Sequence, residues 1–330
     1  MRVNKQVAVY LAVFVFVLLL NFWLPRLLPG GPVEFISGSD DSAVFMTEAQ
    51  KQAMLEYYHL NDSLWQQFVT YIRGVFTLDF GISFSFKAPV QDIIIARLPW
   101  TMLIVGISTV LSILIGLLAG LLSAWKHPGR ADRSLFLGML GLSAVPEFLI
   151  GMLLLIAFAV HWSLFPLGGA ETPFYRPAFW GDRFADVAKH AVLPVITLTA
   201  GSLASLYLLM RNEAIRIRQE PFVEFAAAKG IGERAVLLKH VARNAALPLV
   251  TIIVMRIGGL VAGSVLAETV FAYPGVGKLL QEAILARDYP LLHGLFLMMT
   301  AVVLCLNAAA DLLYPRLDPR IRTQIRGESS

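Results

Sequence analysis

Four ionisable side chains stand in or at the edges of long apolar runs of this 330-residue chain: Glu147, Arg256, Glu268 and Asp311. A charge in hydrocarbon is costly, so such groups face a bundle interior or a water-filled cavity. There they either pair between helices or line a pathway and meet a charged solute. Arg256 lies near the middle of its run. Glu147 follows Pro146, which frees backbone groups and invites a bend. Glu268 closes the fifth run. These three are the candidate pathway residues, while Asp311, near the end of the last run, reads as structural.

A second group of interest is PFVEFAAAKGIGERAVLLKHVARNAALP, residues 221–248. Two short helical stretches, Phe222–Lys229 and Glu233–Arg243, flank a break that Gly230 and Gly232 permit. Phe225, Leu237 and Leu238 read as apolar anchors, Lys239 and Arg243 as solvated. A helix-turn-helix that reads DNA has a similar outline. Apolar runs bracket this one closely, and a net charge of +4 from 27 basic and 23 acidic residues is poor support for nucleic-acid binding.

No catalytic, cofactor or metal site is expected. A P-loop needs G-x-x-x-x-G-K-[ST]. The nearest string, AYPGVGKL from Ala272 to Leu279, lacks the first glycine and the final Ser/Thr. There is no His-Glu-x-x-His and no G-x-S-x-G, and the six histidines are scattered. The single cysteine, Cys305, excludes an intrachain disulfide and reads as a small core residue.

These residues must be positioned by membrane helices. The chain is 57% hydrophobic and 15% charged, against about 45–50% and about 25% in soluble domains. A spanning helix needs about 20 mostly apolar residues. Six segments meet or approach that: Val7–Leu28, Pro99–Trp125, Leu135–Val160, Ala191–Met210, Ala245–Leu266 and Leu291–Leu313. The first has the charged start of a signal peptide but no small-x-small cleavage site, so an uncleaved span is expected. Gly258, Gly259 and Gly263 would let the fifth span pack closely.

Charge sets the orientation. With the N-terminus inside, the inner segments hold sixteen basic and seven acidic residues, and the outer ones ten basic and thirteen acidic. Both termini are therefore placed in the cytoplasm. Residues 29–98 form an outer region. Thr47 and Gln50 have capping-box spacing there. Leu55, Tyr58 and His59 share one helical face, and Trp65, Phe68, Val69 and Ile72 form another stripe that reads as core.

Glu224, Ala226 and Gly230 resemble the Glu-Ala-Ala-x-x-x-Gly signature of ABC importer permeases, with Phe225 in place of the first alanine. AKGIGERAVLLKHVARNAALP is similar to the peptide/nickel branch rather than the sugar branch. LPRLLPGGP (24–32), LDFGISFSFKAPVQDIIIARLPWTM (78–102), DRSLFLGMLGLSAVPEFLIGMLL (132–154), ETVFAYPGVGKLLQEAILARDYPLLHG (268–294) and DLLYPRLDPRIR (311–322) resemble the same branch. Together they run nearly the length of the chain.

The resemblance implies the first-permease (B-type) subunit of a type I ABC importer. The expected fold is all-α and integral to the membrane, with six transmembrane helices and an extracytoplasmic helical insertion. The chain divides into 1–28, the N-terminus and first span; 29–98, the outer region; 99–322, the permease core with cytoplasmic coupling loop 211–244; and the tail 323–330. Glu224, Phe225, Ala226, Ala227, Gly230 and Gly232 would seat in a groove of a separate ATPase. Implied partners are a second homologous permease in a heterodimer, two cytoplasmic ABC ATPases that bind ATP and Mg, an extracytoplasmic solute-binding protein and membrane lipid, with no nucleic acid. The location is the cell membrane of a prokaryote. The implied solute is a di- or oligopeptide; nickel, a metal chelate or another small solute is the alternative. An ion-driven secondary transporter would show inverted repeats and broken midplane helices and would leave residues 221–248 without a role. A membrane-anchored assembly factor is the third reading.

Overall fold

The computed structural model describes residues 2–27, 52, 55–56, 61–176, 178–246, 249 and 264–317. Most of the expected fifth span, with Arg256, Gly258, Gly259 and Gly263, lies outside them, as do Thr47, Gln50, Tyr58, His59 and the tail 323–330. Among the described residues every regular element is a helix. In chain order these are α1 (Arg2–Leu27), α2 (Leu64–Thr77), α3 (Val90–Trp125), α4 (Arg130–Ala144) and α5 (Glu147–Leu154, continued by a π-helical segment Leu155–His161). There follow α6 (Trp180–Arg218), α7 (Pro221–Ala228) and α8 (Glu233–Ala235, continued by a π-helical segment Val236–Ala242). The last three are α9 (264–270), α10 (Val276–Leu285) and α11 (Tyr289–Leu317).

Among the described residues four helices are long and apolar enough to cross a bilayer by length and composition, over Ala8–Leu27, Val90–Trp125, Trp180–Arg218 and Tyr289–Ala309. The 36 residues of α3 and 39 of α6 exceed the requirement, since about 20 residues at 1.5 Å each already cross the hydrocarbon. The expected third span differs. Leu135–Val160 is not one rod but two helices, α4 and α5, bent by 95°. Pro146 brings no N–H to the ladder, and Val145 before it is extended at φ −91°, ψ 123°, the region a following proline favours.

Two compact units are present. In Met1–Pro99 with Gly275–Leu304, α2 starts at a capping box: Ser63 Oγ accepts from Gln66 N, and Gln66 Oε1 accepts from Ser63 N. Its inner face carries Tyr71 and Val75, buried with Leu18, Phe22 and Leu297, and flanked by Phe68 and Ile72. Trp65 and Val69, expected in the core, are 71% and 48% exposed. The buried stripe is 68, 71, 72 and 75, which turns both of them outward. Asn21 Nδ2 donates to Tyr71 Oη and to the His293 carbonyl, each at 3.1 Å. Burial pushes the Tyr71 phenol up to about 12, so it stays neutral at physiological pH. Buried Asp288 accepts from Ser83 Oγ at 2.6 Å and Ser85 N at 2.9 Å, and caps α11 through Leu291 N at 3.2 Å.

The other unit is Trp100–Pro274 with Cys305–Ser330. Here α3 and α6 approach closely at Gly116 and Gly120, which face Leu206, Tyr207 and Met210. A Cβ at Gly120 would lie 2.8 Å from both Met210 Cβ and the Tyr207 carbonyl oxygen. This small-x-x-x-small contact is the usual route to tight helix pairs in lipid. Cys305, read as core, is exposed. Apolar surroundings do not require burial in protein when the solvent is hydrocarbon.

Candidate functional site

The segment 211–246 is anchored before it is shaped. Ala214 and Ile217 of α6, Val223 and Ala226 of α7, and Val236, Leu237 and Val241 of α8 bury together against Leu121 and Ala124 of α3. Pro221 stands in the first turn of α7, where its missing N–H costs nothing. Arg218, the last residue of α6, donates to the carbonyls of Ala124 and Trp125 at 3.2 and 3.1 Å. The Ala124 carbonyl otherwise receives only a long 3.4 Å bond from His127 N, so the guanidinium both caps α3 and fixes where α7 begins.

The turn after α7 is made at Gly230, whose φ is +80°, a conformation that disfavours L side chains. Gly232 leads into α8 at φ −58°, ψ 143°, so it needs no glycine-specific angle. Of the expected anchors, Leu237 is buried, but Phe225 and Leu238 are 63% and 61% exposed. Spacing decides this. Val223 and Ala226 form the inward face three residues apart, so Phe225 must point elsewhere. Phe222 is also exposed at 41%, and Lys229 Nζ lies 4.6 Å over the Phe225 ring. Glu224 and Ala227 are exposed. Both line a cleft of about 280 Å³ between α7 and α8 that also includes Arg218, Ile231 and Glu233.

One cluster was not anticipated. Asp132 of α4 is 4% exposed. Its carboxylate accepts from Arg211 of α6 in the two-pronged geometry, Nε at 2.6 Å and Nη2 at 2.7 Å. It also receives Ser123 Oγ from α3 and stands 2.8 Å from His127 Nδ1. Ser123 Oγ is 2.6 Å from Tyr207 Oη, and the Arg211 guanidinium lies 5.0 Å over the Phe136 ring. Asp132 and Arg211 are 79 residues apart. The one available signal was that both flank predicted spans on the same side.

The membrane charges separate. Glu268 is fully buried, and its Oε1 accepts from Thr101 Oγ1 at 2.7 Å and Ser264 Oγ at 2.9 Å. Glu147 begins α5 immediately after the bend. Its carboxylate packs over Gly201 of α6, where any side chain would collide with it. Glu147 Oε1 is buried with no hydrogen-bond partner among the described residues.

Bilayer-length helices, a broken span carrying an acid, and an amphipathic loop hung on a continuous 39-residue helix make this a multi-pass membrane protein. The chain belongs to the family described as binding-protein-dependent transport system inner membrane component, which it matches over residues 112–323. It is 30% identical over 335 residues to the dipeptide transport system permease protein DppB of Escherichia coli strain K12, covering 96% of this chain and 97% of that one. It is 33% identical over 305 residues to the oligopeptide transport system permease protein AppB of Bacillus subtilis strain 168, covering 92% and 93%. An inward-facing structure of the MetNI methionine ABC transporter shares the fold, with a TM-score of 0.55 over 68% of this chain and 96% of that chain, at 15% identity. The fold is thus the all-α integral-membrane fold of a type I ABC importer permease, as the sequence resemblance implied. Its family consists of transport components of the inner membrane that work with a binding protein and an ATPase.

Proposed function

We propose that this chain is one of two permease subunits in an ATP-driven importer of di- or oligopeptides, and that α7 with the Gly230 turn is the seat of its ATPase. That the relatives DppB and AppB belong to dipeptide and oligopeptide transport systems supports the peptide class. One observation carries the docking reading. Phe225 is 63% exposed on a helix whose opposite face is buried. An aromatic ring held outward by a rigid helix, beside an exposed acid at Glu224 with no ion pair among the described residues, is the make-up of an interface anchor. Burying a phenylalanine is worth about 1.5–3 kcal/mol, which is about ten- to hundredfold in affinity.

In this reading a homologous second permease completes a heterodimer, and each permease meets one of two cytoplasmic ATPases. Those ATPases bind ATP and Mg; this chain is non-catalytic. A binding protein delivers solute from outside, and both termini are cytoplasmic, which the loop charges support. Among the candidate pathway residues Glu147 keeps that role, because its buried oxygen lacks a partner within the described chain. The satisfied, fully buried Glu268 suits a brace between α3 and α9. Arg256 stays assigned to the pathway on its place in the sequence.

The test uses Gly230→Leu, Glu224→Lys and Phe225→Ala in the assembled importer with its binding protein. Solute capture by the binding protein is expected to persist. Dipeptide uptake and solute-stimulated ATP hydrolysis are expected to fall at least about tenfold, and crosslinks from Ala227→Cys to the ATPase should weaken. Wild-type uptake in all three variants would remove the coupling role from this loop.

A further inference from the structure

We propose that the Asp132–Arg211 ion pair is the strut through which movement of the docking loop reaches the broken span, making both of them positioning residues for transport. The proposal rests on the reading of α7 as the ATPase seat. Three observations carry it. Asp132 is the only buried residue of the fifteen-residue α4. A helix otherwise half-buried or exposed along its length is thus gripped at one interior point, and that point is a carboxylate held from several sides. The grip comes from Arg211, ten residues before the chain enters α7 at Pro221 on the continuous helix α6. A displacement of α7 is passed to Arg211 through the two-residue link Gln219–Glu220 and about two turns of α6.

The second arm of the broken span is held differently. Glu147 of α5 lies against Gly201, ten residues earlier on α6, by packing alone and with one oxygen unpartnered. So α6 carries α4 by two directional, charge-assisted bonds and α5 by close packing, Gly151 on Thr197 and Ala159 with Leu193. The 95° break at Val145–Pro146 lies between the two arms, where no proline N–H ties one to the other. Motion of α6 therefore moves α4, and the break absorbs the difference. Glu147, the first residue beyond the break, changes position relative to α4 as it does so. Ser123 and His127 hold the carboxylate from the α3 side, which keeps the Asp132 fork aligned while α6 loads it.

The test is a distance measurement within the complete importer in proteoliposomes. Spin labels are placed at Leu137→Cys on α4 and Leu153→Cys on α5, both on exposed positions, in a Cys305→Ser background. In the parent, ATP with vanadate is expected to shift the distance between the labels. In Asp132→Asn the shift should be lost while unstimulated ATP hydrolysis stays within about twofold. Arg211→Lys, which retains the charge but one prong, should recover part of the shift. An unchanged shift in Asp132→Asn would overturn the proposal. So would loss of the ATPases from the purified Asp132→Asn complex, which would mean that the pair only holds the fold. Gly230→Leu is the separating control. If it leaves the parent shift intact, the docking reading fails; if it abolishes the shift and Asp132→Asn does not, the strut alone fails.

Discussion

At Gly230 the backbone stands at φ +80° with no heavy atom within 4 Å of where a Cβ would be. A substitution there meets open space, so its cost is conformational, about 1–2 kcal/mol for a residue forced into the left-handed region. Gly230→Ala and Gly230→Leu should therefore impair solute-stimulated ATP hydrolysis to a similar degree, and Gly230→Asn less, because asparagine tolerates that region. A loss that grew steeply from Ala to Leu would show that space, not backbone angle, is limiting. Gly120 is the opposite case. Its Cβ would meet Met210 Cβ and the Tyr207 carbonyl at 2.8 Å. Gly120→Leu should cost about 1–3 kcal/mol by overpacking, seen as a lower melting temperature and yield of purified protein, with Gly120→Ala milder. The Glu224–Gly230 pattern was legible because it is local, seven consecutive residues with one helix and one turn. The Asp132–Arg211 fork was not, because nothing in either segment names a partner 79 residues away. The outward turn of Phe225 and Leu238 was missed because short helices with apolar residues on several faces leave the buried face to be chosen by tertiary packing.

Among elements, the long apolar helices were legible because hydrocarbon thickness sets a minimum length that few soluble helices meet. Their ends were not. The helix α3 begins at Val90 rather than Pro99, and α6 runs from Trp180 to Arg218 rather than from Ala191 to Met210. Hydropathy marks only the lipid-facing stretch, whereas the extensions carry charges and are held by local packing, Val90, Ile93 and Ile94 in one cluster and Ala214 and Ile217 in another. The break at Pro146 was visible in composition, yet its 95° depth depends on what α6 offers each arm. The outer helix α2 yields a prediction at this scale. Deleting 47–75 would strip Tyr71 and Val75 from their packing with Phe22, and so would confuse docking with unfolding. Trp65 and Phe76, 71% and 78% exposed, can be changed while Tyr71 and Val75 keep their packing, Trp65 touching Phe68 at the edge of that cluster. Trp65→Ser with Phe76→Ser should leave assembly intact and reduce stimulation of ATP hydrolysis by the binding protein at least about threefold, since exposed aromatic anchors carry an outsized share of interface energy. Unaltered stimulation would assign that face to the membrane surface instead.

For the whole molecule the governing quantity is the distribution of charge, not its sum. A net charge of +4 says little. The proposed inner segments carry sixteen basic residues against seven acidic, and the outer ones ten against thirteen, which is the asymmetry that orients helices during insertion. Under the proposed orientation α7, the Arg211–Asp132 pair and both termini belong to the cytoplasmic side and the 78–89 turn to the outer side. The structure supplies usable probes for each side. Ser85 and Ala227 are exposed, and the native Cys305 is an exposed thiol that must first be replaced by serine. In that background, Ser85→Cys in intact cells should react with a membrane-impermeant maleimide. Ala227→Cys should react only after permeabilisation, and a reporter fused after Arg322 should be active as a cytoplasmic fusion. The two cysteines act as mutual controls, because inversion of the protein would exchange their behaviour and not merely weaken it. Labelling of Ser85→Cys from the cytoplasmic side alone would put α7 outside the cell, out of reach of any ATP-hydrolysing partner. The docking reading of Phe225 and Gly230 would then fall together with the orientation.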